Sequence, residues 1–187
     1  MLTITNRVLE NVTGFTHTQI KRWAVAFLRP DKASGQHSGV PRNYSFEQAL
    51  RIYLGGYLVQ DLKFTLDESR QILNDITNWL KDKKWTISRW VEFQKSQLSS
   101  DYVVIYDFPW TGLIIDIVVG SDNRLFYRAK IVHEQKMIKY TNILQEKYEL
   151  EYFGKSSPIS TVPLRSIDIE AIVKSLANRI AKRMISE

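Results

Sequence analysis

The sequence contains no cysteine. Disulfides, iron–sulfur clusters, thiolate zinc sites and a cysteine nucleophile are excluded outright, and thiol-redox sensing with them. Histidine is nearly as scarce. His17, His37 and His133 are the only three, His133-Glu134 and the C-terminal Lys/Arg residues form no recognisable metal or triad set, and no metal, cofactor or catalytic residue is expected. No apolar run approaches the roughly 20 residues that span a bilayer. The opening MLTITNRVLEN lacks the apolar core of a secretion signal. A cytoplasmic protein with no membrane partner is therefore expected. Internal repeats and low-complexity tracts are also missing.

The chain has 187 residues, of which 44% are hydrophobic, enough for one large domain or two small ones with a real core. Its net charge of +6 is unevenly spread. Residues 1–45 hold six Lys/Arg against two Asp/Glu, and residues 79–100 hold five against two, whereas residues 46–78 are net acidic. Cation gathered at the start of the chain attracts polyanions, DNA first among them. Charge alone does not separate that reading from an ordinary solvated surface.

Local pattern says more. Thr5 can cap a short helix through Val12, and Gly14 can take the positive φ of a tight corner. Thr16-His17-Thr18-Gln19 fits a capping box, in which the hydroxyl accepts from the backbone N–H three residues on and the Gln side chain reaches back. In the helix that follows, Ile20, Trp23, Ala24, Phe27 and Leu28 recur at the spacing of one buried face. His17, Thr18, Lys21, Arg22 and Val25 are left facing out. Pro30 stops the helix, and Asp31–Asn43, with Gly35, Gly39 and Pro41, reads as a loop or hairpin wing. Two more capping boxes, Ser45–Gln48 and Thr65–Glu68, open helices with inward stripes. The first is Phe46, Ala49, Leu50, Tyr53, Leu54 and Leu58; the second is Leu66, Ser69, Ile72, Leu73, Ile76 and Leu80. Gly55-Gly56 weakens the former on propensity grounds.

Beyond residue 100 the pattern turns to strands. Tyr102–Tyr106, Leu113–Val119, Leu125–Val132 and Tyr148–Phe153 are β-rich, and Val162–Leu164 is a further short candidate. The charged stretch Glu134–Glu149 is expected to be helical in its middle. Asp168 caps a final helix with Ile169, Ile172, Val173, Leu176, Ile180 and Met184 on one stripe, and Lys182 and Arg183 suit its C-terminal dipole. The expected architecture is a mostly α winged helix-turn-helix at residues 1–78, a linker or dimerisation helix at 79–100, and an α+β domain with an antiparallel or mixed sheet at 101–187.

Residues 2–76 resemble the DNA-binding domain of MerR-type regulators. That pattern runs "YTI", "TGVS", "TLRYYE" or "TIRRWE", "GLL-P", "R-x-Y-S", "LGFSLEEI". Here LTI (2–4), TGFT (13–16), QIKRWA (19–24), FLRP (27–30), RNYS (42–45) and LKFTLDESRQIL (62–73) follow in the same order and spacing. Ala24 stands in place of the usual Glu, the wing is longer, and the family's sensing cysteines are missing. The resemblance implies a sequence-specific regulator that binds double-stranded DNA as a homodimer on an inverted repeat. It also implies a small-molecule or protein effector at the C-terminal domain. An excisionase or DNA-packaging adaptor of phage or plasmid type would use the same headpiece.

The candidate DNA-binding set is Thr16, His17, Thr18, Lys21, Arg22, Arg42 and Tyr44. Lys and Arg near the start of a recognition helix can reach guanine edges or phosphates. Arg42 and Tyr44 match the wing signature, which implies backbone contact; Tyr44 equally suits packing beneath the wing. Trp23 reads as core, as do the strand tyrosines. A nuclease reading would use Asp107, Asp116 and Lys130 on successive strands, as in PD-(D/E)xK enzymes. However, Arg128-Ala129-Lys130 lacks the required acid, so no enzymatic activity is expected.

Overall fold

The computed structural model describes residues 4–28, 42–83, 112–119, 124–137, 144–154 and 165–185. Among them are five helices and two antiparallel sheets, a mixed α+β composition. None of these helices is long and apolar enough to cross a membrane. The chain divides into two compact units, Met1–Lys95 with Lys174–Glu187, and Ser96–Val173. The expected wing (31–41), the linker helix beyond Lys83, the strand candidates at 102–106 and 162–164, and Pro30, Asp107 and Met184 lie outside the described residues or their described side chains.

In the first unit, β1 (Ile4–Thr5) pairs antiparallel with β2 (Asn43–Tyr44) and leads directly into α1 (Asn6–Thr13). The Thr5 hydroxyl accepts from Val8 N at 3.3 Å, as an N-cap should. Helices α2 (His17–Phe27), α3 (Phe46–Gln60) and α4 (Leu66–Asp82) follow, and all three expected capping boxes are formed. Their inward stripes supply the core: Ile20, Trp23, Ala24 and Phe27 from α2, Leu50, Leu54 and Leu58 from α3, Ile72, Leu73 and Ile76 from α4. Four stripe members fall short of full burial: Leu28, the C-cap of α2, and Phe46, Tyr53 and Leu66 are half-buried. Ile52 and Trp79 are buried although the stripes omit them. Helix α4 continues past residue 78 to Asp82.

Gly55 and Gly56 are not a weak point in α3. A Cβ on Gly56 would stand 2.6 Å from the Trp23 ring and 2.7 Å from that of Phe15, and one on Gly55 would overlap the Phe27 ring. Two absent side chains thus let α2 and its preceding turn lay their aromatics against the α3 backbone. Phe15 and Trp23 meet edge to face there, centroids 4.4 Å apart.

The second unit holds a four-stranded antiparallel sheet in the order β5-β4-β3-β6: β3 (Gly112–Val119), β4 (Leu125–Met137), β5 (Leu144–Gly154) and β6 (Arg165–Asp168). Register puts Ile115 between Ala129 and Ile167, and Ile117 opposite Tyr127, all fully buried on one face. Tyr127 stacks on Phe153 at 4.8 Å. The centre of the charged stretch, 138–143, where a helix is expected, lies outside the described residues; both ends of the stretch are strand. Residues 134–137 pair with 144–147, Met137 opposite Leu144, beyond a bulge between Val132 and Glu134. Cross-strand pairing overrides the helix propensity of a Glu- and Lys-rich sequence. Strand β6 was not anticipated. Asp168 ends it and caps α5 (Ile169–Ile185), accepting from Ala171 N at 2.8 Å.

Two backbone predictions of opposite sign follow. Gly56→Ala adds helix propensity worth about 1 kcal/mol but forces a methyl into two rings, so a net loss of about 2 kcal/mol is expected in denaturant unfolding. A stabilised variant would overturn the close-packing account. Lys63, between α3 and α4, holds φ 61°, the left-handed region that suits glycine. Lys63→Gly is expected to raise stability by about 1 kcal/mol; a loss of that size would show that its Nζ bond to the Gln60 carbonyl outweighs the backbone strain.

Candidate nucleic-acid interface

Two short-range devices set the corner before α2. The Thr13 hydroxyl donates to the Leu9 carbonyl at 2.6 Å and accepts from Phe15 N at 3.2 Å. Gly14 sits at φ 76° and its N–H closes α1 on the Glu10 carbonyl at 3.0 Å. Thr16 then begins α2. Its hydroxyl accepts from Gln19 N at 3.3 Å, while Thr16 N donates to Gln19 Oε1 at 2.8 Å. Thr16 is exposed, but its oxygen is committed to the helix N-terminus.

With Ile20, Trp23, Ala24 and Phe27 buried, α2 can turn only one face outward. That face carries His17, Thr18, Lys21, Arg22 and Val25, all exposed. His17 Nδ1 lies 3.3 Å from Glu10 Oε1, tying the first turn of α2 to α1. Val25 is 80% exposed, unusual for a large aliphatic side chain. It falls three or four residues beyond Lys21 and Arg22, on the same stripe. The combined face offers two cations, a hydroxyl and an apolar tip in line. Sequence reading had Val25 facing out but gave it no role, since nothing local distinguishes a functional valine from a stray one.

Two arginines from other helices hold the far end of α2. Arg51 of α3 donates from Nε to the Phe27 carbonyl at 2.7 Å and from Nη1 to Thr77 Oγ1 at 3.0 Å, and its Nη2 reaches Asn74 of α4. Arg70 of α4 donates from Nε to the Ala26 carbonyl at 3.0 Å and pairs with Asp67 at 2.6 Å. The last carbonyls of a helix lack partners within it and carry its negative dipole end, so a guanidinium is the fitting cap. Neither role was legible from the sequence, because the partners lie 24 and 44 residues away.

Arg42 and Tyr44 have different fates. The Arg42 guanidinium lies 5.4 Å over the Tyr44 ring and is half-buried. Tyr44 itself is only 2% exposed, and its hydroxyl donates to Asn6 Oδ1 at 2.9 Å. Of the two roles expected for Tyr44, the observed burial matches packing: the ring is core at the β1–β2 ladder, with the Arg42 guanidinium over it. Comparison of the chain with protein-family models, with curated proteins and with solved structures finds no match.

In the second unit Asp116 and Lys130 lie on one sheet face by register. Asp116, however, accepts from Arg128 at 2.8 Å and from the Ser166 hydroxyl at 2.6 Å. A carboxylate so engaged is poorly placed to hold a metal. Among the described residues no group of three or more His, Cys, Asp or Glu side chains comes together. Tyr152 departs from the expected core role of the strand tyrosines, being 57% exposed and stacked on Phe126.

Burial raises the Tyr44 pKa above its usual value near 10, only partly countered by the charge of Arg42. The unfolded chain then loses the phenolic proton before the folded one does. Stability is fully present below pH 10 and falls as pH rises through and beyond it. Tyr44→Phe is expected to cost about 1 kcal/mol at neutral pH through the lost bond to Asn6 and to show a smaller decline above pH 10. An identical alkaline decline in both proteins would refute the assignment.

Proposed function

We propose that the first unit is a winged helix-turn-helix that binds double-stranded DNA sequence-specifically, in a transcriptional regulator of MerR type. The observation that carries this reading is the outward stripe of α2. Thr18, Lys21, Arg22 and Val25 are exposed in line on a helix whose other face and both ends are immobilised. Held in a major groove, Lys21 and Arg22 reach guanine O6 and N7 or phosphate oxygens, Thr18 bonds a base edge, and Val25 meets a thymine methyl. Rigid presentation matters because side chains must arrive in register with base edges. Arg42, carried on Tyr44, is aimed at the flanking phosphates.

Lys63 adds support from another direction. It takes the left-handed backbone at the position where the regulator pattern "LGF" has glycine. Function then follows from pairing: a homodimer reads an inverted repeat, and the second unit receives an effector or partner.

One observation favours a second reading for that unit. Leu150 and Tyr152 are 46% and 57% exposed at alternate positions of β5, which is an edge strand among the described residues. An exposed edge with apolar side chains suits a protein partner, as an excisionase or packaging adaptor would need.

Selection of bound sequences from random duplex DNA tests the proposal. Enrichment of an inverted repeat is expected, and binding without sequence preference would sink the regulator reading. Lys21→Ala with Arg22→Ala is expected to cost at least tenfold in affinity for the selected site and to relax the sequence preference, since a good bidentate base contact is worth about 1–3 kcal/mol. Unchanged affinity at physiological salt would refute the recognition helix.

A further inference from the structure

The last turns of α5 bring three cations to the corner from which α2 departs. Arg179, Lys182 and Arg183 stand at spacings of three and four residues, so they share one helix face. Together with the Asn11–Gly14 end of α1 they line a shallow concave surface. Arg179 Nη1 donates to the Val12 carbonyl at 3.0 Å, which fixes the face against α1 across 167 residues of sequence. All these residues belong to the first unit.

We propose that this surface is a second DNA-contacting site, at which Lys182 and Arg183 hold backbone phosphates of the same duplex that α2 reads. The inference rests on the DNA-binding reading of α2. Three arguments carry it. The described lining is cationic, with three positive side chains and no carboxylate, and phosphate is its electrostatic complement. The position is right, because His17 follows Gly14 by only three positions, a span of at most about 10 Å. The geometry of helix-turn-helix docking also agrees, since the first helix crosses the phosphate backbone while the second enters the groove. Cations in the last turn of α5 would suit its dipole on any face. The dipole does not explain why all three turn toward the end of α1.

Phosphate contacts and base contacts leave different signatures. Each neutralised phosphate steepens the dependence of log affinity on log salt by about 0.9 and is indifferent to sequence. The test is binding of the full chain to its selected site and to random duplex between 50 and 200 mM salt, comparing wild type with Lys182→Gln/Arg183→Gln. The double variant is expected to show a slope shallower by about one to two and an affinity about tenfold lower on both DNAs, with its selected sequence unchanged. Lys182→Arg/Arg183→Lys keeps the wild-type slope. Should the double variant melt below the assay temperature, Lys182→Gln alone, at an exposed position, is expected to remove about 0.9 from the slope. An unchanged slope, or an affinity loss confined to the selected site, overturns the proposal. If wild type binds no duplex DNA, both readings fall. If wild type binds and Lys21→Ala/Arg22→Ala loses sequence preference while the glutamine variants behave as wild type, only this one does.

Discussion

The first unit depends on how the C-terminal end of α2 is held. A short helix with one apolar stripe is anchored in rotation by that stripe, yet its end is free to fray, because its last carbonyls have no partners within the helix. Arg51 and Arg70 supply those partners from α3 and α4. Each guanidinium also bonds side chains of α4, so the cap of one helix fastens the others. Charged hydrogen bonds of this kind contribute about 1.5–3 kcal/mol. More important for function, they are directional. They fix where along its axis α2 sits, while the apolar stripe sets which residues lie at its outward face.

Packing at the other side of α2 works by subtraction. Gly55 and Gly56 leave a flat stretch of α3 backbone against which Phe15, Trp23 and Phe27 lie. Aromatic rings carry large apolar area and have few rotamers, so a helix resting on them is stiff. Tyr44 continues the theme at the β1–β2 ladder, where the buried ring has the Arg42 guanidinium stacked upon it.

The second unit is organised differently. Its sheet buries one face through Ile115, Ile117, Tyr127 and Ile167, while the other is crossed by the row Ser166–Asp116–Arg128. With only 14% and 23% side-chain exposure, Asp116 and Arg128 form a largely desolvated pair, and the Ser166 hydroxyl satisfies the remaining carboxylate oxygen. Such a network favours one strand register over its neighbours, because a slip would leave both charges without partners. That structural task accounts for Asp116 without catalysis. Leu150 and Tyr152 on β5 stand out as its exposed large apolar side chains among the described residues.

Much of the first unit was legible in the sequence because its signals are local. A capping box closes over three residues, a buried stripe repeats within two turns, and a left-handed corner needs one glycine. Thr5, Gly14, Thr16, Ser45 and Thr65 all act as those rules require. What only the tertiary structure decided depends on residues far apart in the chain. Arg51 and Arg70 became caps, Gly55 and Gly56 became contact surfaces, and Tyr44 went to the core. Residues 134–137 became strand because 144–147 lay opposite them, and Arg179 found the end of α1. Periodicity records which face of an element is apolar. It does not record which backbone, ring or carbonyl that face will meet, and here those meetings set the residues left to face a ligand.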